Sequence, residues 1–313
     1  MEFFANLHTH STHSDGKYTP EEMVQVAKAE GYKALAITDH DTVTAFPFLK
    51  AACDREGLET IFGVEFTAIS PLIKGYFHMV AFGFDPEYPE MKDYLEKLSY
   101  NETAQTKYCF EKGKNEGYLE KPSWEGELQN ISWEEVLEFN KDISWLCNEH
   151  VFRAMKAKGI VTDFDYMPFF KAYFGPRRYE FELPYEFLPV EELIGLVHRA
   201  GGIILIAHPE NQLQFMDVLL DMGLDGVEVY HPDVPKAEQE EALRIALEKD
   251  LFIAGGSDHS GLCGGMYAGF EHPEETEFYI EPHSCGTYEL HFRELLNKKV
   301  DKEGRARLYQ SGK

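Results

Sequence analysis

The sequence predicts an α/β fold, and three observations lead to this prediction. Short apolar runs that suit buried strands alternate with longer segments in which apolar residues recur at helical spacing. Glycine, proline and acidic residues separate these segments, as expected for turns. Most candidate functional residues stand at the end of an apolar run. Alternating strands and helices with chemistry at the strand ends are typical of a parallel barrel or an open α/β sheet.

The first 85 residues show this alternation most clearly. Phe3, Ala5 and Leu7 recur at every second position and predict a buried strand at the N-terminus. Thr19-Pro20 is typical of a helix start, and Gly31 ends that helix. The other elements predicted for this part are strands over 34–37, 60–63 and 76–84 and a helix over 44–56.

Residues 86–188 are charged and aromatic and contain no clear strand pattern. They predict helices over 88–113, 133–140 and 151–158, which we interpret as a helical insertion or lid; an ordinary packed helical subdomain is the equal alternative. The α/β pattern then resumes, with helices over 190–200, 212–222, 236–249 and 288–298 and strands over 203–207, 226–230, 251–254 and 277–280. The sequence therefore predicts one discontinuous domain formed by residues 1–85 and 189–313.

The chain is strongly acidic, with a formal net charge of −25. Such a surface repels a polyanion, so we expect no nucleic-acid groove, whereas bound cations would still attract a small phosphorylated substrate. The five cysteines are scattered without CxxC spacing and predict reduced thiols. Because the N-terminus lacks a basic region and no apolar run reaches membrane-spanning length, we expect a cytoplasmic protein that has no membrane partner.

Imidazoles and carboxylates accompany the predicted strands. His8 and His10 stand two apart at the end of the first strand, so their side chains point to the same side. The full set of candidate metal ligands is His8, His10, Asp15, His40, Glu65, His78, His208 and Asp258. Such a set suits Zn, Mn or Fe better than the all-oxygen sites of Ca or Mg, although Mg is compatible with it. It is too large for one tetrahedral ion, so we expect two or three divalent ions, with Glu65 as a bridge.

The motifs that carry these residues, taken in order, resemble the PHP (polymerase and histidinol phosphatase) superfamily. They are His8-Thr9-His10-Ser11, Ser14-Asp15-Gly16, Thr38-Asp39-His40-Asp41, Gly63-Val64-Glu65, Ala207-His208-Pro209 and Gly256-Ser257-Asp258. The resemblance covers about the first 85 residues and the stretch 190–261, and the helical insertion makes the chain most similar to the small phosphoesterases of nucleotides. It implies a distorted, TIM-like barrel of about seven β/α units with a bi- or trinuclear metal centre.

The resemblance also implies three ligand sets. The first ion would be held by His8, His10, Glu65 and Asp258, and the second by Glu65, His78 and His208. The third would be held by Asp15, His40 and a histidine two residues after the terminal aspartate. This sequence instead reads Gly-Ser-Asp258-His259-Ser260. A one-residue shift turns a side chain to the other face, so His259 does not safely replace the expected ligand.

Four residues are candidates for substrate contact. The family's insertion often carries Arg-Pro-His, whereas this chain reads Asn148-Glu149-His150 and keeps only the histidine, so His150 is one candidate. Arg177 and Arg178 could grip a phosphate as bidentate donors. His231 follows a predicted strand and could contact the substrate or protonate a leaving group.

We therefore expect metal-assisted hydrolysis of a small phosphate monoester by a water that bridges the first two ions, with Glu65, Asp258 and His231 as catalytic residues. One alternative is an amidohydrolase, against which Asp15 and the motif around His40 argue. Another is a 3′–5′ exonuclease or phosphodiesterase of the same family, which the acidic charge disfavours. The third is a metal-dependent binding protein with weak or no turnover. The expected partner is a small phosphorylated substrate, and no oligomeric state is predicted.

Overall fold

The computed structural model describes residues 2–258 and 284–310. Within this part of the chain, eight strands and eleven α-helices alternate for most of the length. The strands are β1 Ala5–Asn6, β2 Ala34–Leu35, β3 Glu59–Thr60, β4 Gly63–Ile69, β5 Tyr76–Phe82, β6 Ile203–Ile206, β7 Gly226–Tyr230 and β8 Phe252–Gly255. The predicted α/β class is confirmed. The strand predicted over 277–280 lies outside the described residues.

The strands form two sheets that follow the order of the chain. One is the parallel sheet β1-β2-β3, and the other is the five-stranded sheet β4-β5-β6-β7-β8. β5 runs antiparallel to both β4 and β6, whereas β6, β7 and β8 are parallel. The antiparallel β5 departs from the parallel barrel that the sequence suggests as one possibility. The connection over 70–75 is too short for a parallel crossover, which needs about a dozen residues, so β4 and β5 form a hairpin.

Backbone hydrogen bonds connect the two sheets near the ends of their strands. The N–H of Leu7 donates to the carbonyl of Gly255 at 3.2 Å, which ties β1 to β8. The N–H of Glu65 donates to the carbonyl of Thr38 at 3.1 Å, which ties β4 to the segment after β2. The strands themselves stay in two separate sheets. The fold is thus mixed α/β, and the barrel of about seven units stays a prediction.

The helices begin and end where the local sequence favours it. In α1 the side chain of Thr19 accepts from the N–H of Glu22, whose carboxylate accepts from the N–H of Thr19, and α2 ends at Gly57 in the left-handed conformation. The helices are α1 Pro20–Ala29, α2 Phe46–Glu56, α3 Pro89–Glu116, α4 Trp133–Phe139, α5 Asn148–Ala157, α6 Tyr166–Tyr173, α7 Val190–Arg199, α8 Met216–Asp221, α9 Lys236–Glu248, α10 Glu289–Asn297 and α11 Lys302–Gln310. Helices α6 and α11 were not predicted from the sequence, and α5 begins three residues before its predicted start.

The helices α3 to α6 pack around a hydrophobic cluster of their own. Phe110 of α3, Val136 of α4, Phe152 of α5 and Phe169 of α6 are buried in it. The main core lies elsewhere, between the five-stranded sheet and the helices α7 and α9, and the first residues of α3 also pack there. Among the described residues, no helix is both long and apolar enough to cross a membrane.

Candidate metal centre

The structure brings together all eight metal ligands predicted from the sequence: His8, His10, Asp15, His40, Glu65, His78, His208 and Asp258. Five of them lie beyond the end of a parallel strand, as expected, namely His8, His10, His40, His208 and Asp258. Glu65, which was expected to follow a strand over 60–63, lies inside β4 instead. His78 lies near the start of β5, as predicted, and β5 is antiparallel to β6. The N–H of Ala207, just after β6, therefore donates to the carbonyl of His78, and this places His78 beside His208.

The first group consists of four buried side chains. Nε2 of His8 and Nε2 of His10 each lie 3.2 Å from Oε2 of Glu65. Oδ1 of Asp258 lies 3.1 Å from Nε2 of His10 and 3.5 Å from Nε2 of His8. Their ligand atoms all lie within 4.8 Å of one another, so these four residues could hold one metal ion.

The second group uses the other oxygens of the same two carboxylates. Oε1 of Glu65 lies 3.0 Å from Nδ1 of His78 and 3.0 Å from Nε2 of His208. Oδ2 of Asp258 lies 3.7 Å from Nε2 of His208. Glu65 and Asp258 therefore each span the two groups, with one oxygen directed to each. His208 and Asp258 have φ angles of 25° and 62°, strained conformations for non-glycine residues that are common at functional sites.

The third group lies on the far side of His10. Oδ1 of Asp15 is 3.6 Å from Nδ1 of His10, and Oδ2 of Asp15 is 3.8 Å from Nε2 of His40. These three residues could also hold a metal ion. The further candidate, His259, lies outside the described residues.

The electrostatics of the cluster suit cations. Burial alone would raise the pKa of Glu65, but His8, His40 and His78 reverse the effect and hold this pKa well below its usual range. Burial likewise lowers the pKa of His8, but the carboxylates of Glu228, Asp258 and Glu65 outweigh it and raise this pKa well above its usual value. The carboxylates thus stay ionised and attract positive charge. Nε2 of His8 and Oε2 of Glu65 are buried without a hydrogen-bond partner, as expected of atoms that bind a metal.

Glu228 is a functional residue that the sequence analysis missed. Its carboxylate accepts from Nδ1 of His8 at 3.0 and 3.2 Å and from the backbone N–H of His208 at 2.9 Å. Such a contact fixes the ring orientation and leaves Nε2 of His8 free for a metal. The position of Glu228 between Val227 and Val229 in the apolar pattern of a buried strand could have revealed it, because a buried carboxylate needs a hydrogen-bond or ionic partner.

Asp39 was also missed and orders the loop that carries the first ligands. Its carboxylate accepts from the N–H of Ser11 at 2.6 Å and from the hydroxyls of Ser11 and Ser14 at 2.7 and 2.6 Å. These bonds hold the segment between His10 and Asp15.

Two of the residues expected to contact substrate have other roles. His150 is fully buried; Nδ1 accepts from the N–H of Cys147 at 2.9 Å, so Nε2 carries the proton and donates to the carbonyl of Thr12 at 3.0 Å. Both of its nitrogens are therefore occupied by the chain. Arg177 is 2% exposed and donates to the carbonyls of Tyr173 and Gly117 within the helical region. His150 has no free nitrogen, and the one unpaired nitrogen of Arg177, Nε, is buried, so the structure contradicts both expected substrate contacts.

The other two substrate-contact candidates, Arg178 and His231, lie in different surroundings from His150 and Arg177. The guanidinium of Arg178 donates to Gln105 at 3.0 Å and to Glu102 at 3.1 Å, and its side chain is 35% exposed. His231 is fully buried beside the metal cluster, with Nε2 3.3 Å from Oδ2 of Asp258. Arg178 therefore keeps an accessible surface, whereas His231 faces a metal ligand rather than open space.

The family model of the PHP domain matches residues 6–244. The chain belongs to the PHP domain family. Its relatives include a 5′-3′ exoribonuclease of Haemophilus influenzae, 30% identical over 275 residues that cover 84% of this chain and 92% of the relative. A phosphoribosyl 1,2-cyclic phosphate 1,2-diphosphodiesterase of Eggerthella lenta is 25% identical, covering 86% of this chain and 98% of the relative. A 3′,5′-nucleoside bisphosphate phosphatase of Chromobacterium violaceum is 26% identical, and the match covers 84% of this chain and 90% of the relative.

The structure is similar to that of a protein from Bifidobacterium adolescentis described as a metal-dependent phosphoesterase. The TM-score is 0.69 at 25% identity, and the match covers 96% of this chain and 98% of the other. This PHP protein is therefore a metal-dependent phosphoesterase, which confirms the predicted reaction class. Because one relative is an exoribonuclease, the acidic charge does not by itself exclude a nucleic-acid substrate, contrary to our expectation.

Proposed function

We propose that this PHP phosphoesterase hydrolyses a small, nucleotide-like phosphate monoester. The observation that carries the proposal is the division of Glu65 and Asp258 between two ligand groups, with one oxygen of each carboxylate directed to each group. Carboxylates that span two groups are typical of centres that place paired divalent ions on a phosphoryl group. The names of the relatives support hydrolysis of phosphate esters.

We propose two strong metal sites and a weaker third one. His8, His10, Glu65 and Asp258 would hold the first ion, and Glu65, His78 and His208 the second. Asp15 and His40 would hold the third ion most weakly, because His10 of the third group already serves the first ion and two protein ligands are fewer than a divalent ion needs. Imidazole and carboxylate ligands favour Zn, Mn or Fe. When bound, the ions acidify a water molecule and neutralise negative charge on the phosphate.

The proposed architecture is a distorted barrel of about seven β/α units with residues 86–188 inserted as a lid. The backbone bonds between the two sheets and the separate hydrophobic cluster of α3 to α6 support it. Contacts from this helical region to the metal centre support it too. Arg153 of α5 donates to the carbonyls of Thr12 and Gly16, on either side of Asp15's loop, and the ring of Trp145 lies 6.5 Å from that of His40.

His231 is proposed to position Asp258. Nδ1 of His231 accepts from the N–H of Asp233 at 3.1 Å, which leaves Nε2 as the nitrogen that can donate, 3.3 Å from Oδ2 of Asp258. His231→Gln keeps a donor at this place, whereas His231→Leu removes it. We expect metal affinity and activity to fall by about tenfold in the leucine variant and to be partly restored in the glutamine variant. Equal losses in both variants would reject the positioning role.

Arg178 is proposed to contact the substrate phosphate. Its Nη1 has only a long contact of 3.5 Å with Oδ1 of Asn148, whereas Nε and Nη2 are held by Gln105 and Glu102. The held atoms fix the guanidinium, and the remaining edge can donate to an anion. Arg178→Lys should raise KM more than it lowers kcat, since lysine keeps the charge but loses the fixed planar donor.

The test of the proposed function combines metal content with a substrate panel. Purified protein loaded with Zn²⁺, Mn²⁺ or Fe²⁺ is assayed by elemental analysis and by phosphate release from nucleoside monophosphates, nucleoside 3′,5′-bisphosphates, cyclic phosphates and a 5′-phosphorylated oligoribonucleotide. We expect two or more ions per chain and highest turnover on a monoester. Glu65→Gln should abolish turnover, and the matched control Glu191→Gln, at an exposed position in α7, should not. Turnover of the oligoribonucleotide alone would reject the monoesterase proposal and indicate an exonuclease activity.

A further inference from the structure

The loop that carries Asp15 is closed on itself by backbone contacts. The N–H groups of Ser14 and Gly16 both donate to the carbonyl of Ser11, at 3.1 and 2.9 Å. A Cβ atom added to Gly16 would lie 2.0 Å from the carbonyl oxygen of His10, so only glycine fits at this position. The turn therefore brings the chain back onto the backbone of a metal ligand, and Asp15 stands directly before this contact.

Three carbonyl groups of this loop accept hydrogen bonds from α5. Nη1 of Arg153 donates to the carbonyls of Thr12 and Ser14, at 3.2 and 3.4 Å. Its Nη2 donates to the carbonyl of Gly16. Nε2 of His150 also donates to the carbonyl of Thr12, at 3.0 Å. Hydrogen bonds from a charged donor are stronger than those between neutral groups. The guanidinium thus connects alternate residues of the loop and holds the loop against the helix.

The two donors lie on one face of α5. His150 and Arg153 are three residues apart, so their side chains are neighbours on the helix surface. We call this pair the α5 clasp. The other polar groups of the loop are bound by Asp39, whose carboxylate accepts from the N–H of Ser11 and from the hydroxyl of Ser14, both at 2.6 Å. The loop is therefore held by donors from the helical region and by an acceptor from the segment after β2.

The position of the Asp15 carboxylate depends on how this loop is held. Its oxygens lie 3.6 Å from Nδ1 of His10 and 3.8 Å from Nε2 of His40. The side chain of Asp15 is 26% exposed, whereas that of Glu65 is fully buried. Packing therefore constrains Asp15 less, and the loop backbone decides where its carboxylate lies. A change in the loop alters the third ligand group before the other two.

We propose that Arg153 and His150 are positioning residues that present Asp15 to the third ion, so that binding of this ion and docking of α5 stabilise each other. The proposal rests on the weak third metal site of the proposed function. An ion held by Asp15 favours the loop conformation to which the α5 clasp binds, and the clasp favours the conformation that binds the ion. Such coupling is reciprocal by thermodynamic necessity. The third ion thereby regulates how firmly the helical region is docked.

Metal titration tests the positioning role. Arg153→Met removes the guanidinium. Lys156→Met is the matched control, because it removes one positive charge from the same helix at a side chain that is 46% exposed and paired with Asp163. In competition with a chromophoric chelator, Arg153→Met should bind the weakest Mn²⁺ ion with a Kd about tenfold higher than that of the wild type and of the control. The Kd values of the two tighter ions should not change.

The sign of the change separates positioning from charge. Loss of a positive charge alone would strengthen cation binding, so a purely electrostatic role of Arg153 predicts a lower Kd in Arg153→Met. Arg153→Lys keeps the charge and a donor but loses the planar fork, and it should restore part of the affinity for the weakest ion.

Amide hydrogen exchange of the wild type tests the coupling without any substitution in the clasp. Saturation of the third site with Mn²⁺ should slow exchange in the loop over 11–16 and in α5, whereas α9 should not respond. In Asp15→Asn, which lacks the carboxylate that connects loop and ion, the same addition of metal should slow exchange in neither segment. This measurement keeps the test informative if Arg153→Met does not fold.

Wild-type affinity for the weakest ion in Arg153→Met would overturn the proposal, and so would exchange in α5 that does not respond to the third ion. A wild type that binds only two ions would overturn it as well, whereas phosphate release from a monoester by that two-ion protein would uphold the proposed function. Coupling of the third ion to α5 without hydrolysis of any ester would uphold the positioning role and reject the proposed function.

Discussion

Replacing Glu228 by glutamine is expected to weaken metal binding at the first ligand group. The carboxylate of Glu228 accepts from Nδ1 of His8 at 3.0 and 3.2 Å and from the N–H of His208 at 2.9 Å. The proton of His8 is thereby held on Nδ1, and the lone pair of Nε2 is directed to the metal site. Oε2 of Glu228 accepts from both donors, so the one oxygen of glutamine can still serve both. The NH₂ group then stands in the place of Oε1, where it opposes the N–H on Nδ1 of His8, and the negative charge beside this ring is lost.

The size of the effect follows from what remains after the substitution. Loss of the partner of a metal-ligating histidine costs about 10–100-fold in metal affinity, or about 1.4–2.8 kcal/mol. Because glutamine still offers one oxygen, we expect the lower end, about tenfold. The measurement is a Zn²⁺ or Mn²⁺ titration in competition with a chromophoric chelator, together with elemental analysis of the dialysed protein.

The control for this prediction is a buried carboxylate outside the metal cluster. Glu294 is 2% exposed and paired with Arg305 and His291, so Glu294→Gln should lower the free energy of unfolding and leave the metal Kd unchanged. Wild-type metal affinity in Glu228→Gln would refute the argument that this carboxylate orients His8.

Three further outcomes are expected. Glu65→Gln should remove about one ion per chain or more, seen by elemental analysis, because both of its oxygens face imidazoles; full occupancy would contradict this. Arg305→Met removes the guanidinium partner of the buried Glu294, which then keeps only His291 and the N–H of Asp301, and should lower the free energy of unfolding in denaturant titrations by about 3 kcal/mol. Arg244→Met at an exposed pair should cost less than about 1 kcal/mol, and similar costs for the two variants would argue against this reasoning. Burial, opposed by Glu294, lowers the pKa of His291, so the unfolded state takes up the proton before the folded state does as the pH falls. In the presence of EDTA, the wild type should therefore lose its stability advantage over His291→Asn progressively below about pH 6.5. A constant advantage from about pH 7.5 to about pH 5.5 would disprove this.

Local patterns in the sequence were enough to predict the ligands of the candidate centre. His8 and His10 are two apart at a strand end, and His208 and Asp258 follow apolar runs, so their positions depend on strand periodicity alone. The structure places these side chains within a few ångströms of one another. The positions of these four residues could be predicted because each follows a short apolar strand pattern.

Residues whose role depends on distant partners were harder to predict. Arg177 and Arg178 are adjacent and chemically identical, yet one is buried against helix carbonyls and the other is partly exposed. His150 has a suitable residue type, but its two nitrogens are used by Cys147 and Thr12. The sequence around each does not reveal which surface the packing of the helical region will cover.

The sequence by itself determined the α/β class, the helical character of residues 86–188 and the metal-binding residue types, because these depend on composition and local periodicity. Only the tertiary structure decided that β5 runs antiparallel, and thereby brings His78 beside His208. It also decided that Glu228 orients His8. Strand direction and the pairing of buried charges are set by contacts between segments far apart in the chain, and a local pattern carries no information about which segments will meet.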